Sequence, residues 1–242
     1  MNNTVTIFTI GDLHGSDVWK EALSRKWDVL VFIGDYVDSS IISEEQILGN
    51  LQEIIELKNQ FKDRIILLWG NHDLSYFYGG HSRHYCSGFR KKMLPELFSL
   101  FTANSNLFQA AYQVDHHIWT HAGIVNAWYE TYIANQVTQD DFNLASTLNR
   151  LFKEYYEPMF HIGAKRGGLN EHGGIFWAHA SEVIEDPLPG YHNIFGHTKT
   201  RNGIVRYNTG LKNTKITMVD CLDTSADFFE IDMEKQRCYT QT

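Results

Sequence analysis

Five short segments of the chain carry Asp, His and Asn in an order that suits a two-metal phosphoester site. They read Gly11-Asp12-Leu13-His14-Gly15, Gly34-Asp35-Tyr36-Val37-Asp38, Gly70-Asn71-His72-Asp73, Thr120-His121-Ala122-Gly123 and Phe195-Gly196-His197-Thr198. Hydrolysis at two metals needs cations roughly 3.5–4 Å apart that clamp the attacking and leaving oxygens of the phosphoryl group. One such segment would be a weak signal, but five in order are hard to explain by chance.

The spacing of the candidate ligands divides them between two ions. Asp12 and His14 are two residues apart, so in an extended loop their side chains point the same way and would hold one ion. Asp35 follows the next strand-like run and is the natural carboxylate to bridge the ions. The second ion would then take Asn71, His121 and His197. Mixed Asp, Asn and His ligands favour Mn, Fe or Zn over Ca or Mg, and of these we expect Mn.

His72 stands next to a candidate ligand but is not needed as one. It could instead protonate the leaving oxygen as a general acid. A histidine in that role must be held in one tautomer, and Asp38, three residues beyond Asp35, is the candidate partner. The sequence therefore predicts His72 and Asp38 as an acid pair.

Apolar runs of strand type precede the first three segments. They are Val5–Ile10, Val29–Ile33 and Ile65–Trp69, and each breaks at a glycine. The polar residues therefore emerge at the carboxyl ends of strands, where ligands bind in open α/β sheets. A capping signal at Ser43 and an apolar face over Ile47–Phe61 predict a helix after the second strand. This alternation predicts an α/β protein with a largely parallel core.

The remaining pattern predicts one domain, residues 1–242, with two lid-like insertions. The insertions fall at about 74–106 and 125–190, where only Leu94–Phe101 and Asp141–Tyr156 look helical. Short strand-like runs follow at Asn193–Phe195, Ile204–Tyr207, Ile216–Val219 and Phe228–Ile231. We expect the two insertions to wall the site.

Composition narrows the class of protein. The chain has 242 residues, 43% of them hydrophobic, and no run near the roughly 18 apolar residues of a membrane span. The N-terminus lacks the basic region of a signal peptide, and three scattered cysteines favour reduced thiols in the cytoplasm. A net charge of −8 argues against nonspecific nucleic-acid binding. Two bound cations would still attract an anionic partner, a phosphoprotein or a nucleotide.

Taken together, the five segments resemble the calcineurin-like metallophosphoesterase superfamily. The similarity is greatest to its phosphoprotein phosphatases and their bacterial relatives, including diadenosine tetraphosphatases, and it spans residues 11–198. Tyr207-Asn208-Thr209-Gly210 is also similar to the bacterial members. The resemblance implies an αββα four-layer sandwich with a dinuclear centre. It assigns Asp12, His14 and Asp35 to one ion, Asp35, Asn71, His121 and His197 to the other, and His72 and Asp38 to the acid pair.

Departures from the family pattern concern substrate recognition. Ser39 stands where the family has an Arg that grips phosphate, and a hydroxyl offers neither charge nor a bidentate fork. Trp177-Ala178-His179 stands where bacterial relatives often have Trp-x-Arg. Lys199 stands where phosphodiesterase branches usually have a second His, which disfavours them. The candidates to take over phosphate binding are Arg83, Arg166 and His179, with Arg90 and Arg201 as further possibilities.

The leading hypothesis is a metal-dependent phosphoesterase in which a metal-bound hydroxide attacks the phosphorus directly. Within it we first expect a phosphomonoesterase of serine/threonine protein phosphatase type. The alternatives are a hydrolase of nucleotide polyphosphates, such as dinucleoside tetraphosphates, and, less favoured, a phosphodiesterase. A catalytically silent binding module is a remote alternative, because the chain lacks neither the ligands nor His72.

Overall fold

Two five-stranded β-sheets form the centre of the molecule. The computed structural model describes residues 4–80 and 86–234. The strands are β1 (Thr4–Ile10), β2 (Val29–Phe32), β3 (Ile65–Leu68), β4 (Phe108–Gln109), β5 (Ala111–Val114), β6 (His117–Thr120), β7 (His192–Phe195), β8 (Val205–Asn208), β9 (Lys215–Met218) and β10 (Phe229–Glu234).

The strands that lead to the site run parallel within each sheet. The first sheet has the order β10-β1-β2-β3-β4, in which β1 to β4 are parallel and β10 is antiparallel to β1. The second has the order β5-β6-β7-β9-β8, in which β6, β7 and β9 are parallel. Antiparallel β5 and β8 form its edges. The predicted parallel core is confirmed, with antiparallel strands at three of the four sheet edges.

Side chains of the central strands alternate between two apolar layers. Val31 of β2 points between the sheets, where it belongs to one cluster with Trp119 of β6 and Ile194 of β7. Its neighbours Leu30 and Phe32 belong to the outer cluster, which contains the helices. Because both faces of β2 are buried, its sequence is a continuous apolar run and not an alternating one.

Helices cover the outer faces of both sheets. They are α1 (Lys20–Leu23), α2 (Glu44–Phe61), α3 (Asn71–Phe77), α4 (Leu94–Ala103), α5 (Asn126–Tyr132), α6 (Leu144–Lys153) and α7 (Ala180–Glu185). Helix α2 contacts β3 of the first sheet, whereas α6 contacts β5 and α7 contacts β9 of the second. The order of helix, sheet, sheet and helix is the expected αββα sandwich.

Helix α2 follows the predicted capping signal. The Ser43 hydroxyl accepts a hydrogen bond from the Gln46 N–H at 3.2 Å, which satisfies a donor at the start of the helix. Ile47, Leu51 and Ile54 are fully buried. Their spacing of three or four residues places them on one face, which packs against the first sheet.

Sequence patterning does not predict the shorter elements. Strands β4 to β6 span two to four residues each, too few to show a period, and α3, α5 and α7 span six or seven. The segment Tyr207-Asn208-Thr209-Gly210 ends β8, which is antiparallel to β9. It therefore lies at the end of the sheet opposite the carboxyl ends of β7 and β9.

The described ranges contain neither a membrane-spanning helix nor a disulfide. None of the helices there is both long and apolar enough to cross a bilayer. Cys86 and Cys221 form no disulfide within those ranges. Cys238 lies outside the described residues.

Candidate metal centre

Each of the five segments begins where a parallel strand ends. Asp12 follows β1, Asp35 follows β2, Asn71 follows β3, His121 follows β6 and His197 follows β7. The first three strands belong to one sheet and the last two to the other. Because parallel strands share a carboxyl edge, the loops of each sheet meet there. The packing of one sheet on the other then brings both sets of loops together.

The Asp35 carboxylate lies among three imidazoles. Its Oδ2 atom is 3.5 Å from His121 Nε2, 3.9 Å from His14 Nε2 and 4.0 Å from His72 Nε2. Asp35 is shared by two groups of potential metal-ligating atoms, one with His14 and His72 and one with His121 and His197. A carboxylate shared in this way is in position to bridge two cations.

The second group adds an amide oxygen. His121 Nε2 is 2.7 Å from Asn71 Oδ1 and 3.2 Å from His197 Nδ1. Two neutral ring nitrogens that both turn lone pairs toward each other would repel, so a cation or a proton between them is required. His197 Nε2 is buried and has no hydrogen-bond partner within the described part of the chain.

Backbone carbonyls orient two of the imidazoles. His14 Nδ1 lies 3.0 Å from the Val37 carbonyl, and His121 Nδ1 lies 3.0 Å from the Ile33 carbonyl. A carbonyl can only accept, so each Nδ1 must carry the hydrogen and donate it. Nε2 is then the nitrogen of each ring that faces Asp35, the orientation that metal-ligating histidines usually show.

Asp12 is held against the last segment. Both of its carboxylate oxygens accept a hydrogen bond from the His197 N–H, at 3.0 and 3.1 Å. The approach is so close that a Cβ on Gly196 would lie 1.9 Å from Asp12 Oδ1. A glycine is therefore required at this position.

Four residues of the site have backbone angles that side chains rarely adopt. They are His14, Asp35, Asp38 and His197, with φ between 45° and 66°. Such left-handed conformations are uncommon outside glycine, though Asp and His tolerate them better than most residues. They persist where surrounding contacts enforce them, and they cluster at functional sites.

Asp73 anchors the loop that carries Asp35. Its carboxylate accepts hydrogen bonds from the N–H groups of Asp35, Tyr36 and Gly70 at 2.8 to 2.9 Å. The side chain is fully buried. The Asp in Gly70-Asn71-His72-Asp73 thus ties the start of α3 to the loop after β2, and through it fixes the Asp35 backbone.

His72 and Asp38 form the contact expected of an acid pair. His72 Nδ1 lies 2.9 Å from Asp38 Oδ2, and the Tyr76 hydroxyl donates to the other oxygen of Asp38. Burial lowers the pKa of His72, but the charges of Asp35 and Asp38 outweigh it and raise that pKa to about 9. Both carboxylates therefore favour a protonated imidazole.

Sequence reasoning misses a further carboxylate, that of Asp220. It is buried and follows β9, the parallel neighbour of β7, so it reaches the same edge as His197. Burial, and then the charge of Asp35, raise the pKa of Asp220 to about 7. The sequence does contain a signal for this residue. Asp220 directly follows the strand-like run Ile216–Val219, just as each of the first three segments follows a strand-like run.

The donor set fits two divalent cations. Burial, and then the charge of Asp220, raise the pKa of Asp12 well above its ordinary value. Burial opposes ionisation of Asp35 as well, yet His121, His72 and His14 lower its pKa well below the ordinary value. Two divalent ions would bring about four positive charges to these crowded carboxylates and would separate the facing ring nitrogens.

A cavity of about 540 Å³ opens onto these side chains. Arg166 lines it together with Lys199, Trp177 and Asp220. The Arg166 guanidinium donates from Nη2 to the His197 carbonyl at 3.1 Å and to Thr198 Oγ1 at 2.6 Å. Its buried Nε has no partner within the described residues. Arg166 thus lies beside the candidate ligand His197, in the wall of this cavity.

The other residues considered for phosphate binding have different places. His179 caps helix α7, because its Nδ1 accepts a hydrogen bond from the Ser181 N–H at 3.2 Å, and it does not line the cavity. Arg90 donates to the backbone carbonyls of Ser39 and Ile42. Arg201 is exposed. Arg83 lies outside the described residues.

Comparisons with known proteins agree with this geometry. The model of the family described as calcineurin-like phosphoesterase matches residues 5–201. A solved cold-active protein tyrosine phosphatase is similar with a TM-score of 0.61 and 14% identity, over 95% of this chain and 74% of that chain. A point mutant of a cold-active protein tyrosine phosphatase gives 0.59 and 14%, over 93% and 75%.

A protein serine/threonine phosphatase from Saccharomyces cerevisiae, with similarity to human phosphatase PP5, gives a TM-score of 0.48 and 11% identity. That likeness covers 96% of this chain and 80% of that chain. No curated protein matches the chain significantly. At these identities, the similarity to the tyrosine phosphatase structures shows a shared fold.

Replacing Gly196 by Ala tests whether Asp12 must be held in place. The added Cβ would lie 1.9 Å from Asp12 Oδ1 and 2.9 Å from Ile33 Cγ2, so Asp12 must shift. We expect Mn affinity to fall roughly 10–100-fold, as when a residue that orients a metal ligand is lost. Calorimetric titration with Mn measures this.

Gly49→Ala is the matched control, because no heavy atom lies within 4 Å of its added Cβ. Within helix α2 it should leave Mn affinity unchanged and stabilise the fold by up to about 1 kcal/mol. Wild-type Mn affinity in Gly196→Ala would show that the close approach to Asp12 is dispensable.

Proposed function

We propose, from the premise that this chain belongs to the calcineurin-like phosphoesterase family, that it is a phosphomonoesterase of serine/threonine protein phosphatase type. The family makes it a metallophosphoesterase; the choice of phosphomonoesters is our proposal. The observation that carries it is the position of His72. Its Nδ1 lies 2.9 Å from the buried Asp38 carboxylate, while Nε2 faces Asp35 at 4.0 Å.

A well-held acid matters most when the leaving group is a poor one. The oxygen that leaves a phosphorylated serine or threonine is an alkoxide of high pKa, so protonation during bond cleavage lowers the barrier strongly. The oxygen that leaves a nucleotide polyphosphate is a phosphate, which needs less help. The pairing of His72 with Asp38 therefore favours phosphomonoesters over polyphosphates.

In this proposal two divalent ions, with Mn favoured, are held by the side chains described above. Asp12, His14 and Asp35 would hold one ion, and Asp35, Asn71, His121 and His197 the other. When bound, the ions supply Lewis acidity at the phosphoryl group. Asp35 would contribute to both sites, because it is common to both groups of candidate ligands.

The protein's own residues would then perform three tasks. His72 donates its proton from Nε2 to the leaving oxygen, while Asp38 accepts from Nδ1–H and fixes the ring. Arg166 meets the phosphate charge from the wall of the cavity, where its Nη2 is held by Thr198. Arg166 would thereby replace the phosphate-gripping Arg that is absent at Ser39.

Asp35→Asn tests the bridging role. An amide cannot offer two anionic oxygens, so most bound metal and nearly all turnover of p-nitrophenyl phosphate should be lost. Elemental analysis of the purified protein and initial rates with added Mn measure both. Asp140→Asn, at an exposed position, is the control. A variant that keeps both ions and the wild-type rate would disprove the assignment.

His72→Asn tests the acid. We expect both ions to remain bound while kcat falls roughly 10²–10⁴-fold, the usual range for lost acid–base help. Since p-nitrophenol leaves without protonation, the loss should be much smaller for p-nitrophenyl phosphate than for a phosphothreonine peptide. Equal losses for the two substrates would contradict the role of His72 as the acid.

Arg166→Gln tests the phosphate contact. Loss of a charge-assisted hydrogen bond, worth about 1.5–3 kcal/mol, should weaken inhibition by inorganic phosphate roughly 10–100-fold. KM should rise similarly while the metal content stays constant. Arg201→Gln, at an exposed arginine, should change neither quantity. An unchanged phosphate inhibition constant in Arg166→Gln would remove this residue from the proposed site.

A further inference from the structure

A second cavity, of about 750 Å³, adjoins the metal centre on the side of His72. We call it the leaving-group chamber. Its lining residues are Leu13, His14, Ser16, Asp38, Ser39, Ser40, Ile41, Ile42, His72, Ser87, Gly88, Lys199, Leu222 and Asp223. Four of these, His14, His72, Ser87 and Lys199, also line the cavity of the metal centre. The two cavities are therefore adjacent, with His72 in the wall of both.

The geometry of the reaction assigns a role to each space. The phosphoryl group belongs with Arg166 and with the candidate metal ligands that line only the first cavity, which are Asp12, Asp35, Asn71 and His197. In an in-line displacement the leaving oxygen lies opposite the attacking one. If His72 protonates that oxygen, the rest of the leaving group extends past His72 into the chamber.

One part of the chamber wall is aliphatic. Leu13, Ile42 and Leu222 line it next to Ile41, whose side chain is 91% exposed. One exposed isoleucine needs no explanation on its own. Here, however, it lines the same chamber as the proposed acid His72, so an apolar group of a substrate bound there would cover it.

Ser39 holds this wall in place. Its hydroxyl oxygen accepts hydrogen bonds from the N–H groups of Ile41 and Ile42 at 3.2 and 3.1 Å. Arg90 donates to the carbonyls of Ser39 and Ile42 from the other side. An Arg at position 39 has no acceptor and could not make the first two bonds. The departure from the family motif therefore builds the loop that presents Ile41.

The charges of the chamber do not suit a second phosphate. Lys199 Nζ is paired with the Asp223 carboxylate, and Asp38 adds another carboxylate. No other Lys or Arg, and no Phe, Tyr or Trp, is among the described residues that line it. Among the described residues, a polyphosphate chain would meet no unpaired Lys or Arg there, and a nucleobase would meet no Phe, Tyr or Trp ring to stack on.

We propose that the chamber binds the residue adjacent to the phosphorylated one in a phosphoserine or phosphothreonine peptide, and that it selects an aliphatic side chain there. A peptide offers both an aliphatic side chain for Ile41 and amide groups for the hydroxyls of Ser40 and Ser87, which line the same chamber. The inference rests on the proposed function, because it takes His72 as the acid.

Phosphothreonine peptides that differ only in the residues flanking the phosphothreonine test the inference. The flanking residue is Ile, Gly or Asp, and kcat/KM is measured for each. For the wild type we expect the Ile peptide to exceed the Gly peptide roughly 10-fold or more, as for other apolar pocket contacts. The Asp peptide should be the poorest, because Asp38 and Asp223 repel it.

Variants of the wall then locate the selectivity. Ile41→Ser should bring the Ile-to-Gly ratio of kcat/KM close to one. Ser39→Ala should lower the ratio with Ile41 intact, whereas Ser39→Thr, which keeps the acceptor, should preserve it. Leu211→Ser is the matched control, because Leu211 is 53% exposed beyond the end of β8, away from the site. It should keep the wild-type ratio.

Turnover of p-nitrophenyl phosphate by the wild type separates a failure of the leaving-group chamber from a failure of the proposed function. Metal-dependent turnover with an Ile-to-Gly ratio of one would overturn the role of the chamber and leave the phosphomonoesterase in place. A preference for diadenosine tetraphosphate over the phosphothreonine peptides would overturn the proposed function as well. Absence of turnover with every phosphomonoester would overturn the proposed function itself. An Ile-to-Gly ratio that survives Ile41→Ser would show that the selectivity lies elsewhere.

Discussion

The buried carboxylate of Asp35 is the charge around which the site is built. Its Oδ1 atom accepts a hydrogen bond from the backbone N–H of His72 at 2.9 Å. Its Oδ2 atom faces the imidazoles of His14, His72 and His121. Its backbone is fixed by Asp73, and Gly70 makes room for it, since a Cβ there would lie 2.2 Å from Asp35 Oδ1. Burial without compensation would be costly, so the surrounding groups must supply positive charge. The ligand geometry follows from that requirement.

Neither sheet could make this site alone. Asp12, His14, Asp35 and Asn71 follow strands of the first sheet, whereas His121, His197 and Asp220 follow strands of the second. The apolar layer between the sheets therefore sets the distance between the two groups of ligands. A change of side-chain volume in that layer would displace the two groups of ligands relative to each other, because close-packed interiors transmit small displacements. Catalysis would then suffer, since it depends on the precise placement of the reacting groups.

Ser39 links the chemistry of the site to its selectivity. Relative to the family pattern, the serine removes a cation next to Asp38, whereas Arg166, from a distant part of the chain, lines the neighbouring cavity of the candidate metal ligands. In exchange, its hydroxyl organises the loop that carries Ile41. Under the proposed function, Arg166 takes over phosphate binding from position 39, while Ser39 shapes a neighbouring surface.

The sequence by itself determined the kind of chemistry and the parallel core. Ligand types, glycine breaks and apolar runs are local, and the strands β1 to β3 lie within a residue of where those runs predict. Short elements such as β4 and α7 escaped prediction because they have too few residues to show a period. Only the tertiary structure decided what Asp220, Arg166, Arg90 and His179 contact. These contacts depend on which partner the fold brings to each side chain. Arg166 donates to the His197 carbonyl, 31 residues away in the chain. His179 instead accepts a local hydrogen bond as the cap of helix α7. Residue type alone does not distinguish these outcomes.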